Sequence, residues 1–287
     1  MCKCKTEMSN KVVIVTGANT GIGFETAKDL ARRGAKIILA CRDELKGLQA
    51  RYDIIRLTKN DKVIFKQLNL SSFASVRKFA DDILKTEQSI HILVNNAGTG
   101  VLDNALTEDN LPVEVHVNHF GPFLLTVLLL PLLKSSAPSR IINVSSIMHR
   151  FGKVNPQTFH KQAKNILERR RVYSDTKLAN LLFTLKLSQL LLGSRVTVNA
   201  LHPGAVSTDI FRNQHPVVRY LIKLVWKTPY EGAQTSIHLA VAPELELVTG
   251  KYFVNCHEDS PSESAKDIHL AEQLWKLSET ITNVMFS

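Results

Sequence analysis

The sequence is short of cysteine, of long apolar runs and of Gly/Pro-rich tracts, and each shortage excludes a class of protein. Its four cysteines, Cys2, Cys4, Cys41 and Cys256, are scattered through 287 residues. That spacing makes no disulfide framework. Cys41 falls inside an apolar stretch and reads as a small buried hydrophobe. Cys2 and Cys4 sit in Met1-Cys2-Lys3-Cys4-Lys5, where a metal would need two more close ligands and none is evident. The plain reading of residues 1–10 is a flexible segment with exposed thiols; acylation beside the lysines is the other. The longest apolar run, Phe123–Leu133, is 11 residues and contains Thr126 and Pro131. It is too short to span a bilayer and reads as a core helix. With 13 Gly and 10 Pro, long disorder is not expected. The charged start leads straight into an apolar strand at Lys11, which is no secretory signal. The expected compartment is intracellular, on the cytoplasmic side, with no transmembrane span.

Charge is not in short supply. The formal net charge is +10, with local clusters at Lys3/Lys5, Arg32/Arg33 and Arg169–Arg171. No basic stripe is interleaved with aromatics, so nucleic acid is set aside. An anionic ligand or an anionic surface remains. A hydrophobic content of 44% fits a sizeable core, and the length fits one large α/β domain.

Along the chain, short apolar β-branched runs alternate with amphipathic helices. Strands are expected at Lys11–Thr16, Lys36–Cys41, Val63–Leu70, His91–Val94, Arg140–Ser145, Arg195–Leu201 and Lys251–Val254. Helices are expected at Phe24–Arg33, Asp43–Thr58, Ser72–Glu87, Leu111–Leu133, Tyr173–Leu192, from Thr228 to about Ala242, and Ser264–Thr282. Residues 147–171 read as a polar, basic stretch. The rhythm predicts a single Rossmann-type, doubly wound parallel sheet with helices on both faces, one domain over 11–287.

The first strand-to-helix turn is Gly17-Ala18-Asn19-Thr20-Gly21-Ile22-Gly23. Glycines there let the backbone approach a pyrophosphate, and the helix N-terminus offers free N–H groups. The spacing G-x-x-x-G-x-G is not the common one, but its place in the first βαβ unit strengthens it. Where an NAD site has an acid at the end of the second strand, this chain has Arg42. A guanidinium fits a 2′-phosphate bidentately, which favours NADP(H). Asp43 reads as the cap of the next helix.

Tyr173 and Lys177 are four apart and share a helix face. A cation at roughly 5 Å and an effective dielectric of about 20 stabilises the phenolate by about 3 kcal/mol. The expectation is a Tyr173 pKa lowered toward neutrality, giving a general acid/base. The pattern alone arises by chance in many helices. A serine at the end of a central strand would share the substrate oxygen, and Ser145 and Ser146 are both candidates.

At this point the sequence resembles the short-chain dehydrogenases/reductases. The matching residues are Thr16–Gly23, Asn95-Asn96-Ala97-Gly98, Asn118, Asn143-Val144-Ser145-Ser146, Tyr173 with Lys177, and His202-Pro203-Gly204 followed by Thr208. Ala40-Cys41-Arg42-Asp43, Val117–Gly121, Asp175–Asn180, Glu231–Thr235 and Gly250–Phe253 look like the retinol dehydrogenase branch. The resemblance implies that Tyr173 is the proton donor/acceptor, Lys177 its activator and Ser146 the substrate-orienting hydroxyl. It implies that Asn118 kinks its helix and holds a water. Asn95, Asn96, Ala97 and Gly98 would line the adenosine side, with Asn69 near the adenine in place of a common acid. Pro203, Gly204, Val206 and Thr208 would meet the nicotinamide. Ser146 and Tyr173 are separated by an insertion, as in that branch. A homodimer through Leu111–Leu133 and Tyr173–Leu192 is also implied. The branch often carries an N-terminal membrane anchor; this chain shows none.

The segment from His215 to Lys227 is apolar, aromatic and basic. It reads as part of a substrate lid over about 205–228, as an interfacial helix on an endoplasmic reticulum or lipid droplet membrane, or as plain core. All three favour a hydrophobic ligand. The expected activity is NADP(H)-dependent interconversion of an apolar alcohol and its aldehyde or ketone; a retinoid, a steroid or a fatty aldehyde fits. The alternative is an NADP-binding scaffold with little turnover, against which the full set Asn118, Ser146, Tyr173 and Lys177 argues. No metal is expected.

Overall fold

Buried β-branched runs become strands, and the order in which they pair builds the site. The computed structural model describes residues 1–100, 104–206 and 227–286. Strands β1 (Val12–Thr16), β2 (Lys36–Cys41), β3 (Val63–Gln67), β4 (Ile92–Asn95), β5 (Ser139–Val144), β6 (Val196–His202), β7 (Tyr252–Val254) and β8 (His257–Asp259) form one sheet. Their order is β3-β2-β1-β4-β5-β6-β7-β8. All pair in parallel except β8, which returns antiparallel from β7. The sequence reading did not include β8. Its signal is the turn Asn255-Cys256, with φ of 54° and 66°. Two consecutive left-handed residues make a tight hairpin, and cysteine is an unusual occupant of the second position.

Helices α1 (Gly21–Arg32), α2 (Glu44–Thr58), α3 (Phe73–Thr86), α4 (Val113–Ser135), α5 (Ile166–Leu190), α6 (Pro229–Val241) and α7 (Ile268–Thr282) cover both faces. Within β1, Val13 and Val15 pack toward α1 and α6, while Ile14 packs toward α3 and α4. This is the period-2 alternation of a strand buried on both faces. Asp43 accepts from Lys46 N at 3.1 Å and caps α2. Thr228 and Glu231 form the expected capping box at the start of α6.

α5 begins seven residues earlier than expected. Asn165 accepts from Glu168 N at 2.9 Å, and Glu168 reaches back to Lys164 N at 2.7 Å. The Asn-x-x-Glu start was legible, but Arg169–Arg171 masked it as polar loop. α4 is apolar and long enough to cross a membrane, yet 78% of its apolar window is buried inside the fold, as in a core helix. It contains a π turn, His116–Phe120, the disturbance expected around Asn118.

Two other expectations meet a different arrangement. Residues 2–8, read as part of a flexible segment, lie extended against the body of the protein. Arg33 Nη1 donates to Cys4 O and Thr6 O at 2.9 and 3.0 Å, and Met8 is buried. The leucine-rich faces of α4 and α5, expected to hold a second copy, are covered by the chain's own α7. Trp275 sits 4.9 Å from Phe123 and 6.0 Å from Phe183, ring to ring. Ser278 Oγ lies 2.8 Å from His119 Nε2.

Burial holds two histidines of the π turn neutral. The imidazole pKa falls to about 4 in His116, against the pull of Asp109, and to about 3 in His119. The unfolded chain therefore binds protons that the fold refuses as pH drops below about 6.5. Stability present above that pH is lost on acidification, at up to ~1.4 kcal/mol per histidine per pH unit. Denaturant melts between pH 7.5 and 5 are expected to show midpoints falling with pH. A flat profile would contradict neutral burial.

Candidate functional site

The C-terminal ends of β1, β4, β5 and β6 open one crevice, the place where an open α/β sheet accepts a ligand. At its β1 side lies the glycine turn. Gly17 and Gly21 have φ of +64° and +59°. A side chain on Gly17 would meet Ala97 Cα at 2.9 Å, and one on Gly23 would meet Asn96 Nδ2 at 2.4 Å. Thr16 Oγ1 accepts from Asn96 N and Ala97 N, both at 3.0 Å, while Asn96 Nδ2 donates to Thr16 O at 2.8 Å. The turn is thus held against the end of β4. Thr20 precedes α1, whose first turn carries no side-chain cap and no acid. No carboxylate of its own blocks the positive end of that helix. Ile22 packs toward Gly232 of α6.

β2 ends beneath the same turn. The Cys41 thiol accepts from the Ala18 and Asn19 N–H groups, and burial pushes its pKa up to about 11. Arg42 follows at once, exposed, with its carbonyl held by Gln67 Nε2 at 3.2 Å. Asn69 turns its Oδ1 onto Ser71 N and Oγ at 3.2 and 2.7 Å. Asn95 is a correction. Its amide donates to Thr126 Oγ1 at 3.0 Å and Asn143 Oδ1 at 2.9 Å, inside the core. Strand alternation turns it away from the crevice, and Asn96 is the residue that braces the turn.

At the β5 side the two serines separate. Ser145 is buried and its Oγ donates to Lys177 O at 2.7 Å. Ser146 Oγ accepts from Met148 N at 3.3 Å and is hydrogen-bonded to the Tyr173 phenol. Lys177 Nζ lies 5.5 Å from the Tyr173 ring centre and donates to Val144 O at 3.1 Å. Asn118 Oδ1 accepts from Thr99 N at 2.8 Å, and its Nδ2 donates to Thr176 Oγ1 at 3.1 Å. A side chain on Gly98 would lie 3.4 Å from both Asn118 Oδ1 and Lys177 Nζ. Asn118, Ser146, Tyr173, Lys177 and Gly98 therefore converge.

The electrostatics differ from expectation. Burial pushes Tyr173 up to about 12, with the Glu114 carboxylate adding and the Ser146 bond opposing. Burial pushes Lys177 down to about 8, with Glu114 opposing. The helix face delivers the predicted proximity, but loss of water outweighs the mutual effect. In the protein alone Tyr173 is a neutral phenol, the form that donates a proton.

Several residues of the site carry no sequence signal of their own. Glu114 is 6% exposed and its charge reaches both Tyr173 and Lys177. His149 Nε2 accepts from Ser262 N at 3.1 Å, so its Nδ1 carries the proton and donates to Ser146 O at 2.6 Å. Asn180, with its amide oriented to satisfy both carbonyls, donates to Asn118 O at 2.8 Å and Thr176 O at 3.2 Å.

At the β6 side, Pro203 is buried and Gly204 has φ +95°. Val206 bridges to Lys227, whose Nζ donates to Asn255 Oδ1 at 2.6 Å. Thr208 and most of the lid expected over 205–228 lie outside the described residues.

Comparison with known proteins agrees with this geometry. The family model described as short chain dehydrogenase matches residues 11–217. Retinol dehydrogenase 12 of Mus musculus is 45% identical over 286 residues, covering 97% of this chain and 88% of the relative. The crystal structure of an uncharacterized protein from Mycobacterium Paratuberculosis superposes with a TM-score of 0.79. It is 32% identical and covers 100% of this chain and 99% of its own. A short chain dehydrogenase from Escherichia coli, complexed with NADPH, shares the fold at 24% identity and a TM-score of 0.68, with 88% and 99% covered. The glycine turn, the Ser-Tyr-Lys cluster and these matches place the chain in the short-chain dehydrogenase family, in its retinol dehydrogenase branch.

Proposed function

We propose that this oxidoreductase interconverts an apolar alcohol and its aldehyde or ketone with NADP(H). The observation that carries the reading is the convergence of the Tyr173 phenol, the Ser146 hydroxyl and Lys177 beside the glycine turn. The residues fit a dinucleotide: Gly17 and Gly23 let the turn fold tightly against Ala97 and Asn96, and α1 begins there with no side-chain cap and no acid in its first turn, a terminus suited to a pyrophosphate. Bound NADPH would supply the hydride. Tyr173 gives its Oη proton to the substrate oxygen, and Ser146 holds that oxygen in line. Lys177, close to half-protonated near pH 8, is placed to restore the proton. His149 fixes the Ser146 backbone and Asn118 ties the Thr99 loop to α5. Arg42 takes the 2′-phosphate.

An apolar substrate is supported by the side chains that follow Ser146. Ile147 is 42% exposed, Met148 38% and Phe151 66%. A retinoid is the favoured member of the class. The same exposed side chains support peripheral contact with a membrane.

Tyr173→Phe is expected to lower turnover by at least ~100-fold while NADPH still binds. Equal turnover in that variant sinks the mechanism. Ser146→Ala should lose turnover at a cost in stability of no more than about 1 kcal/mol, that of its single long cap bond to Met148 N. Ser145→Ala should instead cost about 0.5–1.5 kcal/mol of stability, because it removes the buried bond to the Lys177 carbonyl. Arg42→Ala should weaken NADPH by roughly 10- to 100-fold and NADH hardly at all, the loss of a charge-assisted contact. An unchanged preference between the two cofactors rules Arg42 out as the phosphate anchor.

A further inference from the structure

Three of the four cysteines gather at one face of α6, far from them in sequence. The chain from Met1 to Met8 alternates exposed and covered residues: Lys3, Lys5 and Glu7 face out, while Cys2, Cys4, Thr6 and Met8 face in. Extended backbone puts residues two apart on the same side, so both thiols meet the same surface. That surface is Gln234 and His238, one turn apart on α6. Cys2 N donates to Gln234 Oε1 at 3.2 Å, and Cys4 Sγ lies 3.8 Å from His238 Nδ1. The Cys2 and Cys4 sulfurs and one His238 nitrogen all lie within 4.8 Å of one another. Cys256 joins from the β7–β8 hairpin, its Sγ donating to Gln234 O at 3.4 Å.

We propose that Cys2, Cys4 and His238 bind one zinc ion. The chemistry of the set is that of a structural zinc site, two thiolates and an imidazole. Tetrahedral zinc with bonds of about 2.3 Å to sulfur and 2.0–2.1 Å to nitrogen puts its ligand atoms about 3.6–3.8 Å apart. The Cys4–His238 separation of 3.8 Å already has that value, and the remaining pairs need to close by no more than about 1 Å. All three residues are half-buried, which leaves the ion a way in. The fourth position falls to water, since Cys256 Sγ is turned to the Gln234 carbonyl.

Binding exchanges two thiol protons for two metal–sulfur bonds, releases both protons to water and involves no redox change. Its effect is a clasp. The same tail is already held to α1 through Arg33, so zinc would join α1, whose first turn is the nucleotide cradle, to α6, which follows the lid region.

The test uses the full chain, reduced and without a polyhistidine tag, titrated with Co2+ and then Zn2+. One equivalent of Co2+ is expected to give intense thiolate-to-metal charge-transfer absorption and tetrahedral visible bands, both abolished by one equivalent of Zn2+. Cys4→Ser and His238→Gln should each lose these bands, Cys41→Ser should keep them, and zinc should raise the melting midpoint of the native chain and of Cys41→Ser but of neither ligand variant. Cys2→Ser, on the extended tail, serves where His238→Gln does not fold. Bands that survive in both Cys2→Ser and Cys4→Ser overturn the assignment, as does a spectrum without thiolate bands at stoichiometric cobalt. Acyl groups, or a Cys2–Cys4 disulfide, on the chain isolated from cells would overturn it too.

Discussion

Everything catalytic in this fold hangs on the pinning of α5 to the end of β5. Ser145 donates to the Lys177 carbonyl, and Lys177 Nζ donates back to the Val144 carbonyl, at 2.7 and 3.1 Å. These reciprocal bonds bury a lysine between a helix and a strand, where an unpaired ammonium would be costly. The result is a fixed axial position for Tyr173, one turn earlier on the same helix, and a fixed Ser146, one residue after Ser145 beyond the end of β5. The Ser146 hydroxyl accepts one long local bond, from Met148 N at 3.3 Å, and keeps its own proton free to donate.

Around that clamp lies a polar layer inside the sheet. Asn95 bonds Thr126 and Asn143, and Asn143 Nδ2 donates to Thr184 Oγ1 at 2.9 Å, joining β4 and β5 to α4 and α5. Buried amides in such a chain fix register, because a shift would strand several groups at once. Above it the π turn of α4 brings Asn118 onto Thr99 and Thr176. The groups that orient the site are held by one another, with Asn95 Oδ1 alone among the amides of this layer lacking a partner. The tail of residues 2–8 extends the same logic to α1 and α6, which a bound metal would tie together.

Much of this was legible in one dimension. The βαβ rhythm, the glycine turn, Arg42 at the end of β2, and the Tyr173/Lys177 spacing each rest on local patterning, and local patterning survives folding. The residue pattern left Ser145 and Ser146 both open, and only the family resemblance chose Ser146, because strand alternation alone does not say which face α5 covers. Asn95 was read toward the crevice, although the strand turns it into the core, for the same reason. The start of α5 at Ile166 was hidden by arginines that sit on a helix as comfortably as in a loop. β8 was hidden because its turn uses cysteine where glycine is usual.

The sequence by itself determined the strand and helix periods, the order of the motifs and the chemical identity of the reacting groups. Those depend on neighbours a few residues away. Only the tertiary structure decided the charges and the partners, because both depend on what is excluded by packing. Tyr173 rises to about 12 and Lys177 falls to about 8 because the fold removes water from both. α7 occupies the face that α4 and α5 would offer a second copy. Cys4 meets His238 across 234 positions, a separation at which no spacing rule holds and only the path of the chain in space brings ligands together.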